Sequence, residues 1–263
     1  MKVVDLDYGI EGRRPDGQMD AVSRGLAAFA SVMAFGREAS ASWEAAALVR
    51  DPVFAGRGIP HGNGQKVLLV PGLMAGDASL GLMHDWLHRI GYETLSSHIG
   101  FNVGCPSATM RRLAVDVSKG GEKVAVIGHS KGGLVALMLA QTHPELVSQV
   151  VTMGSPLINP FDVKVLTRAA MTGIGAWRRA HREQGCCDHC YTPQCTCQGV
   201  VEMRSMLKRP VTSFYSRRDG VVNWQACLRP GARSLEVEAS HVGMVFNPAV
   251  YSGIAHLLAQ AAK

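Results

Sequence analysis

Serine attacks a carbonyl only when its hydroxyl is exposed and a base can take its proton. The stretch Gly128-His129-Ser130-Lys131-Gly132 has the residue types for such exposure. The apolar run Val124-Ala125-Val126-Ile127 precedes it, and a helical pattern over Gly132 to Gln141, with Leu134, Val135, Leu137, Met138 and Leu139, follows. G-x-S-x-G alone recurs by chance, but a strand before it and a helix after it make a sharp corner that strains the serine backbone and crowds the positions two residues away. Gly128 and Gly132 relieve that crowding. The positive N-terminal end of the helix faces the serine and favours a negative oxygen there. Ser130 is the candidate nucleophile.

The base and its orienting carboxylate are expected downstream, in the order serine, acid, histidine. Pro210 to Tyr215 reads as a strand, and Ser216-Arg217-Arg218-Asp219-Gly220 places Asp219 on the loop beyond it. Ser234 to Glu238 reads as a second strand, and Ala239-Ser240-His241-Val242-Gly243 places His241 just after it. An aspartate before glycine is also a common turn former, and a loop histidine is often a solvated surface group. Position separates these two from their neighbours: Glu236 and Glu238 lie in strand pattern, Asp162 comes too early, and the other histidines lie in helices, by the elbow or among the cysteines. His129 is expected to pack beside the elbow rather than to act as its base.

A tetrahedral intermediate needs two N–H donors for its oxyanion. Lys131, directly after the nucleophile, offers one through its backbone. The other is expected on the loop Pro71-Gly72-Leu73-Met74-Ala75-Gly76, which follows the apolar run Lys66 to Val70. Leu73 is the first choice and Met74 the second; an ordinary strand-to-helix connection is the alternative.

These groups require a scaffold of alternating strands and helices. Helical spacing recurs over Leu80 to Ile90, ended by Gly91, and over Pro106 to Val117, with Pro106 at its start. Short strands read at Thr94 to Ile99 and Val147 to Met153, and Pro248 to Ala262 closes the chain as a helix. Strands alternating with helices predict an α/β fold with a mostly parallel, doubly wound sheet covered on both faces.

Val70-Pro71-Gly72-Leu73-Met74-Ala75-Gly76-Asp77, Gly128 to Gly133, Thr152-Met153-Gly154-Ser155-Pro156, Tyr215 to Val222 and Ser240 to Met244 follow one another in a familiar order. Across these motifs the chain resembles the α/β-hydrolase superfamily, bacterial serine esterase and lipase branch, from about Val67 to the C-terminus. The resemblance implies the α/β-hydrolase fold and a serine esterase mechanism with the triad Ser130, Asp219 and His241. One departure is Pro71, where many members carry histidine; the backbone donor remains, but a hydrogen-bonding side chain that supports the oxyanion loop is lost.

The domain expectation is an N-terminal helical extension over 1–65 and a hydrolase core over 66–263, with a cap inserted at 157–207. Asp20 to Val49 is alanine-rich with apolar residues at helical spacing, so one or two helices are expected there. A chain of 263 residues can bury a large core as one domain. The net charge of +6 is moderate and its arginines are scattered apart from Arg178, Arg179 and Arg182, which argues against a nucleic-acid partner. No run reaches the length of a membrane span, and Asp5, Asp7 and Glu11 stand where a signal peptide would need an apolar core. A cytoplasmic location is expected.

Five cysteines fall within Cys186 to Cys197. Cys187, Cys190, Cys195 and Cys197 could present four thiolates to a structural zinc, with Cys186 or His189 as substitutes. Disulfides, with Cys227 as a further partner, and reduced thiols are the other readings; a reducing compartment disfavours disulfides. Cys105, before a proline, is expected to be packed. Catalysis itself needs no cofactor. The expected reaction is hydrolysis of a small-molecule ester with an apolar acyl group, met by residues such as Leu73, Met74, Leu157, Ile158, Phe161, Val221, Val222, Trp224, Val242 and Met244. Acyl transfer by the same triad and a non-catalytic scaffold with a metal-binding cap are the alternatives.

Overall fold

The computed structural model describes residues 43–180 and 189–261. Six strands form one sheet in the order β2-β1-β3-β4-β5-β6, every neighbouring pair parallel. They are β1 (Lys66–Val70), β2 (Glu93–Leu95), β3 (Val124–His129), β4 (Val147–Met153), β5 (Val211–Tyr215) and β6 (Arg233–Glu236). The helices are α1 (43–50), α2 (Gly81–Arg89), α3 (Pro106–Ser118), α4 (Lys131–Thr142), α5 (Val165–Ala180), α6 (Gln198–Glu202) and α7 (Pro248–Ala261).

The alternation along each strand sorts apolar residues onto two layers. Val67, Leu69, Ala125, Ile127, Val151 and Met153 join the core that includes Trp86 and Leu87 of α2 and Tyr251 and Ile254 of α7. Leu68, Val70, Val124, Val126, Val147 and Val150 join the opposite core, with Leu113 of α3 and Leu137 of α4. Central strands covered on both faces read as continuous apolar runs rather than as alternation, and all six residues of β3 are buried. Burying several such side chains, each contributing roughly 1.5–3 kcal/mol, is the main source of the sheet's stability.

The observed elements differ from the sequence expectation mainly at the edges. β2 stops at Leu95 rather than Ile99 because Ser96 and Ser97 donate to the Asp77 carboxylate and His98 turns to φ 51°, which ends the extended run. β6 covers Arg233–Glu236, one residue earlier than expected and two shorter at its end. Of the expected N-terminal helices, 43–50 is helical, and the part before residue 43 lies outside the described residues. Leu48, Val53 and Phe54 of this segment are buried in the α2–α7 core, where the Trp86 indole donates to the Val53 carbonyl at 2.9 Å. No helix among the described residues is long and apolar enough to cross a membrane.

Candidate active site

Ser130 stands between β3 and α4 with φ 54° and ψ −120°, a conformation that L-residues rarely adopt. Its N–H is tied to the Met153 carbonyl of β4 at 2.8 Å, which holds the corner to the sheet. The flanking glycines are required by contact. A Cβ on Gly128 would meet the backbone of Gly132 and Gly133, and one on Gly132 would meet the Val70 and Pro71 carbonyls. Gly133 has the same constraint against the Ser155 hydroxyl. Three successive close approaches leave the serine at the N-terminal end of α4, where unpaired N–H groups and the helix dipole favour negative charge.

Asp219 and His241 arrive on the loops after β5 and β6, at the same sheet edge. His241 Nδ1 and Asp219 Oδ2 lie 2.7 Å apart, with both side chains almost fully buried. The other carboxylate oxygen, Oδ1, accepts the Val221 and Val222 N–H groups at 2.8 Å each, so the acid is gripped from both sides. Gly154, at φ 59°, lies against this pair: a Cβ there would come 3.0 Å from His241 Nδ1 and 3.1 Å from Asp219 Oδ2.

His129 bridges the serine corner and the histidine loop. Its Nε2 donates to the His241 carbonyl at 3.0 Å, and the two rings lie 4.8 Å apart. Because a carbonyl only accepts, the proton on His129 is assigned to Nε2. The expectation that His129 packs beside the elbow therefore understates it. From the other side, α1 supplies Glu44, whose carboxylate accepts from the Ser240 hydroxyl at 3.2 Å and faces Gly243.

The loop after β1 is held by a residue that sequence spacing did not single out. Asn102 donates through Nδ2 to the Pro71 carbonyl at 2.7 Å, accepts the Met74 N–H at its own carbonyl at 3.1 Å, and donates its N–H to Ala75 at 2.9 Å. These bonds provide the support that Pro71, unlike histidine, lacks. They also engage the Met74 N–H, so Leu73 is the donor of the pair without a hydrogen bond among the described residues. Gly72 keeps this loop against the serine, since a Cβ there would sit 3.3 Å from Ser130 Cβ.

The Lys131 side chain turns back to the same loop rather than to solvent. Its ammonium donates to the Asn102 carbonyl at 3.1 Å, the Asn102 side-chain oxygen at 2.7 Å and the Gly104 carbonyl at 2.7 Å, and it lies 5.3 Å from the centre of the Tyr191 ring. The Tyr191 hydroxyl donates to the Val103 and Gly104 carbonyls. Lys131 and Asn102 thus connect the serine corner, the β1 loop and the segment between β4 and β5. No short-range pattern marks Asn102 in the sequence; only the folded topology brings it to Pro71.

Ser130 opens onto a cavity of about 420 Å³ whose walls are mostly apolar. Leu73, Met74, Phe161, Val221 and Val222 line it as expected, joined by Leu134, Met138 and Met171. The other expected residues lie elsewhere. Leu157 and Met244 are core, Ile158 is exposed, and Trp224 stacks on Tyr215 with Arg217 over its outer face. Val242 is also absent from the wall. The far wall comes from α5 and from Cys190, Tyr191 and Cys195, in the segment between β4 and β5.

Of the expected metal ligands, Cys187 lies outside the described residues. The sulfurs of Cys190 and Cys197 lie within 4.8 Å of one another and of Cys105, and Cys195 is not in that group of three. Such a group could hold a metal ion. Cys227 is remote from them in a buried cluster with Val163 and Val222. Burial pushes its thiol up to about 12, with the negative charges of Asp219 and Asp162 adding to the effect.

Residues 118–184 match a family model described as the alpha/beta hydrolase fold. No curated protein matches the chain by sequence. Among solved structures, the chain is similar to the monoacylglycerol lipase of Paleococcus ferrophilus, at 17% identity and TM-score 0.52, over 76% of this chain and 97% of that one. It is also similar to a thermophilic esterase from Thermogutta terrifontis, at 16% identity and TM-score 0.54, over 77% and 92% of the two chains. The pyrethroid hydrolase PytH aligns at 16% identity and TM-score 0.54, over 76% of this chain and all of its own. With the six-stranded parallel sheet and the serine at the β3–α4 corner, these matches establish that the chain has the α/β-hydrolase fold.

Proposed function

We propose that the chain is a serine carboxylester hydrolase for small esters with an apolar acyl group. The observation that carries this reading is the buried Asp219–His241 hydrogen bond of 2.7 Å at the sheet edge where the strained Ser130 opens to the apolar cavity. In this mechanism the Asp219 carboxylate accepts the Nδ1 proton and presents Nε2 of His241 to the serine. Nε2 takes the Ser130 proton as Oγ attacks the ester carbonyl, and the imidazolium then returns that proton to the leaving alcohol. The Leu73 and Lys131 N–H groups stabilise the oxyanion, a role typically contributing about 10²–10³ in kcat per donor. Water, activated by the same imidazole, releases the acid and regenerates the serine.

The acyl group is assigned to the cavity because its walls offer few polar partners. The segment between β4 and β5 serves as the cap. Acyl transfer follows the same path to the acyl-enzyme and differs only in the final acceptor, so product analysis with and without an alcohol acceptor separates it from hydrolysis. Fluorophosphonate labelling of the wild type and Ser130→Ala, run beside p-nitrophenyl ester turnover, tests the central claim. Ser130-dependent labelling and turnover are expected; their absence in the folded wild type overturns the reading in favour of a scaffold without catalysis.

A further inference from the structure

We propose that Cys105, Cys190 and Cys197 form a metal site for one thiophilic divalent cation, zinc foremost, which fastens the cap to the N-terminus of α3. The three residues come from two separate parts of the chain. Cys105 is the residue before α3, whereas Cys190 and Cys197 belong to the segment between β4 and β5. Their sulfurs nonetheless share one small volume, all within 4.8 Å of each other.

The spacing suits a cation better than a covalent bridge. Zinc–sulfur bonds of about 2.3 Å at tetrahedral angles place two ligand sulfurs about 3.8 Å apart. Cys105 Sγ and Cys197 Sγ are 3.8 Å apart, while a disulfide would require about 2.05 Å. Cys105 and Cys190 are buried and Cys197 half-buried, and clusters of buried thiols from distant segments are an ordinary setting for a structural ion.

Cys105 occupies the N-cap position of α3, a thirteen-residue helix, without a side-chain capping hydrogen bond, and the helix N-terminus favours negative charge nearby. The Lys131 ammonium is bound to the carbonyl of Gly104, directly before Cys105. On binding, each of the three S–H groups gives its proton to solvent and its sulfur electron pair to the cation, so three protons leave as one ion enters; zinc completes its tetrahedron with one further donor, a water or another thiolate. Occupancy would fix the cavity wall that Cys105 and Cys190 share with Ser130. This assignment stands whether or not Ser130 is catalytic.

Cys105 provides the test because it lies outside the cysteine-rich run. Protein expressed with added zinc and purified under reducing conditions without chelator is analysed for metal. About one zinc per folded chain is expected in the wild type and in Cys227→Ala, and at least a tenfold loss in Cys105→Ser. Since Cys105→Ser alters a fully buried group and is expected to destabilise the fold, the wild type is also alkylated with and without a strong chelator, and the modified thiols are mapped by mass spectrometry. Joint protection of Cys105, Cys190 and Cys197 that the chelator abolishes supports the site. A metal-free wild type, full zinc retention in folded Cys105→Ser, chelator-insensitive alkylation of Cys105, or a Cys105–Cys197 disulfide overturns it.

Discussion

His129 Nε2 donates a 3.0 Å hydrogen bond to the backbone carbonyl of His241. The residue beside the candidate nucleophile therefore fixes the main chain of the candidate base. The contact crosses from β3 to the loop after β6, two elements that do not pair in the sheet.

Replacing His129 with phenylalanine keeps a ring against His241 but removes the donor. Because misplacing a reacting group by about 1 Å can cost 10²-fold in rate, kcat is expected to fall by about 10–100-fold while KM changes little. Steady-state ester hydrolysis on wild type and His129→Phe checks this; a proportional rise in KM with unchanged kcat would refute the positioning role.

Asp219→Asn retains an oxygen to accept the Val221 and Val222 N–H groups but presents an amide to His241. The fold is expected to survive, with unchanged circular dichroism. Turnover is expected to fall by about 10⁴, the magnitude known for loss of the orienting carboxylate in such triads.

The cavity sets the third expectation. Met171 lines it from α5, and Met171→Trp fills part of the volume. Hydrolysis of p-nitrophenyl esters of graded chain length should shift its optimum toward shorter acyl groups, with acetate or propionate turnover retained. An unchanged profile would assign the acyl group to some other surface.

Cys227 carries a pH dependence. Its folded-state value of about 12 lies above the ordinary 9.0, so between these limits the native state holds a proton that the unfolded chain has lost. The thiol's contribution is thus fully present below about pH 9 and declines as pH rises toward 12. Denaturant unfolding of wild type and Cys227→Ala at pH 8 and pH 10 should show the stability difference moving against the wild type by about 1 kcal/mol at the higher pH.

The candidate triad residues stand out in the sequence because each has a local signature. Gly128 and Gly132 mark the corner, and Asp219 and His241 each follow a recognisable apolar strand. The central strands were equally plain, since burial on both faces leaves continuous apolar runs such as Val124–Ile127. What stayed hidden depends on the folded path of the chain: Asn102 reaching Pro71, the Lys131 side chain folding back to Gly104, and Cys105 joining Cys190 and Cys197. The edge strands were misjudged where local hydrogen bonds outcompete strand pairing, as at Ser96 and Ser97 with Asp77.

β6 is a four-residue strand at the rim of the sheet, and three of its four side chains are solvent-exposed. β3 and α4, by contrast, are sealed on nearly every side. Structure with few buried contacts opens first on warming. Heat should therefore unseat the imidazole while the serine corner is still rigid, and turnover should fade at temperatures where bulk melting has not begun.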